Sequence, residues 1–242
     1  MNPAKNKLIV ALDVETAQRA RELVKLLREH VGMFKIGSQL FTAAGPDFVR
    51  EVVKSGAGVF LDLKFHDIPN TVAAAGVEAT RLGVSMFNVH ASGGREMMQR
   101  TADAVSQVAA HEGLTRPSVI AVTVLTSTDA AVLSEIGLPS TPQNQVRTLA
   151  LLSEAGCMDG VVASPQEVSL VRSAISRPGF LIVTPGIRPA GTPMDDQKRV
   201  RTPAEAMRAG ADYLVLGRPI INAKDPAAAA EKIVQEMESG LR

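Results

Sequence analysis

The sequence predicts an α/β fold, a TIM-type (β/α)8 barrel, from three observations. Short aliphatic and β-branched runs alternate with longer stretches of helical period about eight times along the chain, the pattern of repeated βα units around a parallel sheet. Most of these runs are almost continuously apolar, as strands buried on both faces should be. The length of 242 residues suits one such barrel, so a single domain over 1–242 is expected. A doubly wound open sheet shares the alternation, and sequence alone does not establish closure.

The first unit pairs an expected strand over Lys7–Asp13, built on Leu8-Ile-Val-Ala-Leu12, with a helix over Ala17–His30. Strand Met33–Gly37 precedes helix Pro46–Lys54, and strand Val59–Lys64 precedes helix Thr71–Arg81. Strand Met86–Ala91 leads to helix Arg95–His111, and Val119–Leu125 to helix Gln143–Glu154. Gly160–Ser164 with Pro165–Ile175, Leu181–Gly186 with Pro203–Ala209, and Tyr213–Gly217 with Pro226–Glu238 complete the series. Each helix carries apolar residues three and four apart. Several end near Gly56, Gly83, Gly113, Gly156 or Gly210, suiting left-handed C-terminal caps, and others begin with proline in the first turn. Two connections, Thr126–Pro142 and Ile187–Thr202, are long enough to suggest function, and both follow strand C-termini, where barrels place their sites.

Composition narrows the function. Hydrophobic residues make up 45% and charged residues 21%, as in a globular protein with a sizeable core. A net charge of +1 and 3% aromatics without Trp give no general pull toward nucleic acid or an anionic membrane, and little for base stacking. Any bound anion must be held locally. Cys157 is the only cysteine, which excludes an intrachain disulfide and points to a reducing cytoplasm. Leu8–Leu12 is too short for a signal or membrane span.

The densest chemistry lies in Phe60-Leu-Asp-Leu-Lys-Phe-His-Asp-Ile-Pro-Asn-Thr71. In a strand, residues two apart share a face at ~6–7 Å, so Asp62 and Lys64 lie on one side and Leu61, Leu63 and Phe65 on the other. Asp67 follows within a loop's reach. Two like charges about 4 Å apart repel by ~4 kcal/mol at an effective dielectric of 20, so such crowding needs a function or a compensating ion pair. An ordinary solvated salt bridge is the plainer reading.

Asp13, Lys35, His90, Thr126, Ser127, Arg188 and Arg218 also fall at strand C-termini. Each has a dull explanation: Asp13 as a cap near Thr16, His90 as a core histidine, Thr126 as a turn residue. Their convergence on one barrel end favours a site. Thr184-Pro-Gly-Ile-Arg188 and Leu216-Gly-Arg-Pro219 follow strands seven and eight, where barrel enzymes often bind phosphate. Guanidinium matches phosphate oxygens with paired hydrogen bonds, which suits Arg188 and Arg218. Gln197, in the seventh connection, is a candidate to fold over a bound phosphate and exclude water, although a polar loop glutamine is usually just solvated. No metal is expected, because the His and carboxylate spacings fit no metal motif and Lys64 already supplies positive charge.

Across nearly the whole chain these motifs resemble the orotidine 5'-monophosphate decarboxylases, in their shorter bacterial form. The resemblance is carried by Ala11-Leu-Asp13, Phe34-Lys-Ile-Gly37, Asp62-Leu-Lys-Phe-His-Asp-Ile-Pro-Asn-Thr71, Asn88-Val-His90, Val124-Leu-Thr-Ser127, Thr184-Pro-Gly-Ile-Arg188, Asp196-Gln197 and Leu216-Gly-Arg-Pro219. It implies cofactor-independent decarboxylation of a nucleotide substrate, with Asp62, Lys64 and Asp67 as the charged array beside the reacting carbon. Asp13 and Lys35 are implied near the ribose, Thr126 and Ser127 near the pyrimidine, and Arg188, Gln197, Gly217 and Arg218 at the phosphate. A homodimer follows, with Asp67 and Thr71 reaching the partner's site. The Asp-x-Lys-x-x-Asp pattern is shared with Mg2+-dependent sugar-phosphate enzymes of the superfamily, and a non-catalytic phosphate sensor on the same scaffold is a further alternative.

Overall fold

A computed structural model describes residues 3–189 and 201–241. The strands are β1 (Leu8–Ala11), β2 (Met33–Gly37), β3 (Gly58–Phe65), β4 (Met86–His90), β5 (Ser118–Val122), β6 (Gly160–Val162), β7 (Leu181–Thr184) and β8 (Tyr213–Leu216). They pair in parallel in chain order, and β1 pairs with β8, so the sheet is a closed barrel. The open-sheet alternative is thereby excluded. Around it run α1 (Ala17–Leu27), α2 (Ser38–Lys54), α3 (Pro69–Arg81), α4 (Gly94–Glu112), α5 (Ala130–Glu135), α6 (Pro142–Ala155), α7 (Val168–Ala174), α8 (Pro203–Arg208), α9 (Arg218–Ile221) and α10 (Pro226–Leu241).

Two apolar layers follow from the strand period of two. Ile9, Ala11, Met33, Phe60, Met86, Ile120, Val183 and Val215 form one cluster drawn from a single face of the strands, the lumen of a packed barrel. Alternate residues such as Leu8, Val10, Phe34, Val59, Leu61 and Phe87 join the helices in the larger outer core. Two residues beyond the lumen cluster, on the same face, stand Lys35, Asp62, Asn88 and Val122. The lumen core is therefore the floor on which the polar residues rest.

Three expectations need correction. The second helix begins at Ser38 rather than Pro46, and Gly45 at φ 67° breaks it just before Pro46; the seven residues before Gly45 are too few to show a period. The Thr126–Pro142 connection contains α5, whose first turn is capped by the Asp129 carboxylate accepting the Ala131 and Val132 N–H groups. Only Leu133 of α5 is buried, so it has no apolar stripe to read. After α6 the left-handed residue is Cys157 at φ 61°, not Gly156. Gly156 serves close packing, because a Cβ there would stand 3.0 Å from the Met98 Cβ.

Candidate active site

Four charges from three neighbouring strands alternate in sign across the C-terminal mouth of the barrel. Lys35 Nζ of β2 lies 3.0 Å from Asp13 Oδ1, just beyond β1, and 3.3 Å from Asp62 Oδ2 of β3. Asp62 Oδ1 in turn accepts from Lys64 Nζ at 2.6 Å. Asp62 is thus held between two ammonium groups while only 9% exposed. Burial alone pushes its carboxyl up, but the Lys35 and Lys64 charges, with hydrogen bonds from Lys64 and Asn88, prevail and hold it below the usual carboxylate range. For Lys35 the order is the same: burial opposes its charge, yet Asp62 and Asp13 outweigh it and hold the ammonium above its ordinary value. Asp62 and Lys35 are therefore both ionised throughout the neutral range.

Lys64 is placed by its backbone as well as its charge. Its φ is 53°, a left-handed conformation that costs a non-glycine residue about 1–2 kcal/mol. Here the β3–β4 register breaks: Leu61 pairs with Phe87 and Phe65 with Val89, so Asp62, Leu63 and Lys64 lie opposite Asn88 alone. The Lys64 N–H donates to Asn88 Oδ1 at 2.8 Å, and Asn88 Nδ2 donates to Asp62 Oδ1 at 2.7 Å. A bulge of this kind re-aims a side chain. It turns the straight-strand expectation for Asp62 and Lys64 into direct contact.

These residues edge a cavity of about 230 Å³ lined by Lys35, Phe60, Asp62, Lys64, Thr126 and Ser164 with apolar groups from β5, β6 and β8. Thr126 lines this cavity, whereas Ser127 is exposed on the adjoining turn and does not line it. Ser164 and Asn88 have no place in the sequence-derived set of site residues. Each is a polar residue beside apolar neighbours in the sequence, the signal by which they could have been found, and each is 1% exposed.

Asp67 stands apart from the row. Its carboxylate is exposed and accepts the Ile68 N–H at 2.6 Å, while the ion pair of Lys64 runs to Asp62. Asp67 and exposed Thr71 instead line, with Lys64 and His66, a second cleft of about 340 Å³ outside β3. The His66 and His90 rings meet with centroids 5.4 Å apart and their planes tilted by 43°. Burial, then His66 and Lys64, push His90 below its ordinary value, so its imidazole is neutral at pH 7.

At the ends of β7 and β8, Arg188 is buried and donates from Nη1 to the Ile187 carbonyl at 3.1 Å. Its N–H donates to the Arg201 carbonyl at 3.1 Å, and Ile187 bridges Arg201 in parallel, joining the two ends of the seventh connection. Gln197 and Asp196 lie outside the described residues. Gly217 sits beside Asp13, with a Cβ position 3.5 Å from Asp13 Oδ2, and Arg218 is exposed at the start of α9. Among the described residues no three His, Cys, Asp or Glu side chains are grouped as a metal site requires, and no helix is long and apolar enough to cross a membrane.

Residues 6–233 match the family model for the orotidine 5'-phosphate decarboxylase / HUMPS family. The orotidine 5'-phosphate decarboxylase of Geobacter sulfurreducens is 54% identical over 98% of both chains, and that of Moorella thermoacetica is 54% identical over 97% of this chain and 93% of its own. Among solved structures, orotidine 5'-phosphate decarboxylase from Lactobacillus acidophilus superposes with a TM-score of 0.84 at 37% identity, covering 95% of this chain and 98% of that one. With the alternating charged row at the mouth of a closed barrel and likeness along nearly its full length, this chain belongs to the orotidine 5'-phosphate decarboxylase / HUMPS family.

Proposed function

We propose that Lys64 stabilises, and then protonates, the carbanion formed when this chain, a carboxy-lyase, converts orotidine 5'-monophosphate to uridine 5'-monophosphate, the last step of UMP synthesis. The supporting observation is the 2.6 Å contact of Lys64 Nζ with Asp62 Oδ1 at the cavity edge. Loss of CO2 breaks the bond from C6 to the carboxyl carbon and leaves its electron pair on C6, in the ring plane, where no ring carbonyl can take it up. A fixed ammonium aimed at that carbon stabilises the charge without reorganisation. The same ammonium gives its proton to C6, and the resulting amine is reprotonated from water. Asp62 holds Lys64 charged and in place, and it also repels the substrate carboxylate it faces.

Asp13 and Lys35 are assigned to the ribose, Thr126 and Ser127 to the pyrimidine, and Arg188, Gly217, Arg218 and Gln197 to the phosphate. Asp67 and Thr71 complete the site of a partner subunit in a homodimer. Their exposure, and the exposed Ile68, Leu125, Val132, Ile136 and Leu138 in the connections after β3 and β5, support that reading. We take residues 1–242 as one catalytic domain, which the closed barrel from β1 to β8 supports, and place it in the cytoplasm. Ultraviolet absorbance of the orotate ring, followed with a chelator present, tests the assignment. Wild type is expected to consume the signal, and Lys64→Ala to lose at least ~10⁴-fold in kcat while still binding uridine 5'-monophosphate. Near-normal turnover by Lys64→Ala removes Lys64 from the chemistry.

A further inference from the structure

Asn88 lies mid-way along β4, 1% exposed, between Phe87 and Val89 of the outer core. An amide so deeply buried is tolerated only if both its halves are hydrogen-bonded. Both are: Oδ1 accepts the Lys64 N–H and Nδ2 donates to Asp62 Oδ1. The orientation is dictated by the partners, since a backbone N–H can only donate and a carboxylate only accept. Asn88 is also the one residue of β4 opposite the three-residue bulge of β3, so its side chain satisfies the N–H that the strand ladder leaves over.

We propose that Asn88 is a positioning residue for decarboxylation, locking the Lys64 backbone in its left-handed turn while aiming the Asp62 carboxylate at the Lys64 ammonium. This rests on the role assigned to Lys64 above. Asn88 does not line the cavity, so it acts through Asp62 and Lys64 and its loss falls on kcat rather than on binding. No single-function side chain replaces it. Alanine loses both bonds, and aspartate keeps the acceptor for Lys64 but sets a second carboxylate against Asp62. The charged and titratable groups around position 88 are Asp62 and Lys64 of β3, Lys35 of β2 beyond Asp62, and His90 on β4.

The test is the pH profile of kcat for wild type, Asn88→Ala and Asn88→Asp with orotidine 5'-monophosphate. Asn88→Ala is expected to lose about 10- to 100-fold in kcat with KM within about threefold. Asn88→Asp is expected to resemble it near pH 8 and to recover at least ~10-fold relative to it near pH 5, as the new carboxyl gains a proton and donates to Asp62. A role in packing alone moves the melting temperature but produces no acid rescue. Asn88→Ala within about twofold of wild type, or Asn88→Asp level with Asn88→Ala at every pH, overturns the inference. If Asn88→Ala fails to fold, the ratio of Asn88→Asp to wild type decides: a rise toward acid supports the inference and a flat ratio overturns it. Absence of turnover by wild type would instead overturn the reading of the site beneath it.

Discussion

Asp62 joins two ammonium groups that would otherwise repel, and its replacement exposes that dependence. Removing one partner from a buried ion pair costs about 3–5 kcal/mol, so Asp62→Asn is expected to lose about 3 kcal/mol of stability at neutral pH, measured by urea unfolding. The pH dependence has a definite sign. Because the folded-state pKa of Asp62 lies below its unfolded value, the stabilisation is complete above about pH 4 and is lost as the pH falls through the folded value. Asp62→Asn is therefore expected to show a smaller acid-side loss than wild type, and equal losses refute the link. The Asp-x-Lys spacing made Asp62 and Lys64 legible because strand residues two apart share a face. The direct contact was not legible, since it depends on a bulge set by the β4 register and on Asn88, which lies 24 residues from Lys64 in sequence.

The elements position the site by anchoring strands at the opposite end of the barrel. Asp159, just before β6, accepts the Val119 N–H at the start of β5 and Arg116 Nη1, both at 2.7 Å. Asp212, before β8, accepts the Ile182 N–H of β7 at 2.8 Å and pairs with Arg172. Each carboxylate ties a strand to its predecessor far from the charged row. Asp212→Ala is expected to destabilise the fold by about 2 kcal/mol, read from urea unfolding, while leaving kcat within about twofold; a large loss of kcat in the folded variant contradicts this separation. All eight strands were legible because they are short, mostly apolar runs set between longer helical stretches. The front half of α2 and the whole of α5 were not, since helices of six or seven residues show less than two turns of any period.

At the scale of the molecule, one chain supplies Lys35, Asp62 and Lys64 to its own cavity but turns Asp67 outward. If Asp67 completes a partner's site, Lys64→Ala and Asp67→Asn damage complementary halves. Random reassortment of the two inactive variants then places one intact site on each mixed dimer, which restores about a quarter of wild-type activity. Mixing that restores nothing removes Asp67 from a shared site. The barrel was legible from the βα period and the length of the chain. The proposed dimer was suggested in the sequence only by resemblance, because exposure of Asp67, Ile68 and Thr71 is a property of the folded surface.

If Lys64 protonates C6, the step also runs in reverse, which makes exchange of the C6 hydrogen of uridine 5'-monophosphate with deuterated water the most direct measurement. Followed by proton magnetic resonance, wild type is expected to wash out the C6 signal while Lys64→Ala leaves it intact. Washout by Lys64→Ala at the wild-type rate, or none by a wild type that still decarboxylates, would contradict the assignment of carbanion and proton to Lys64.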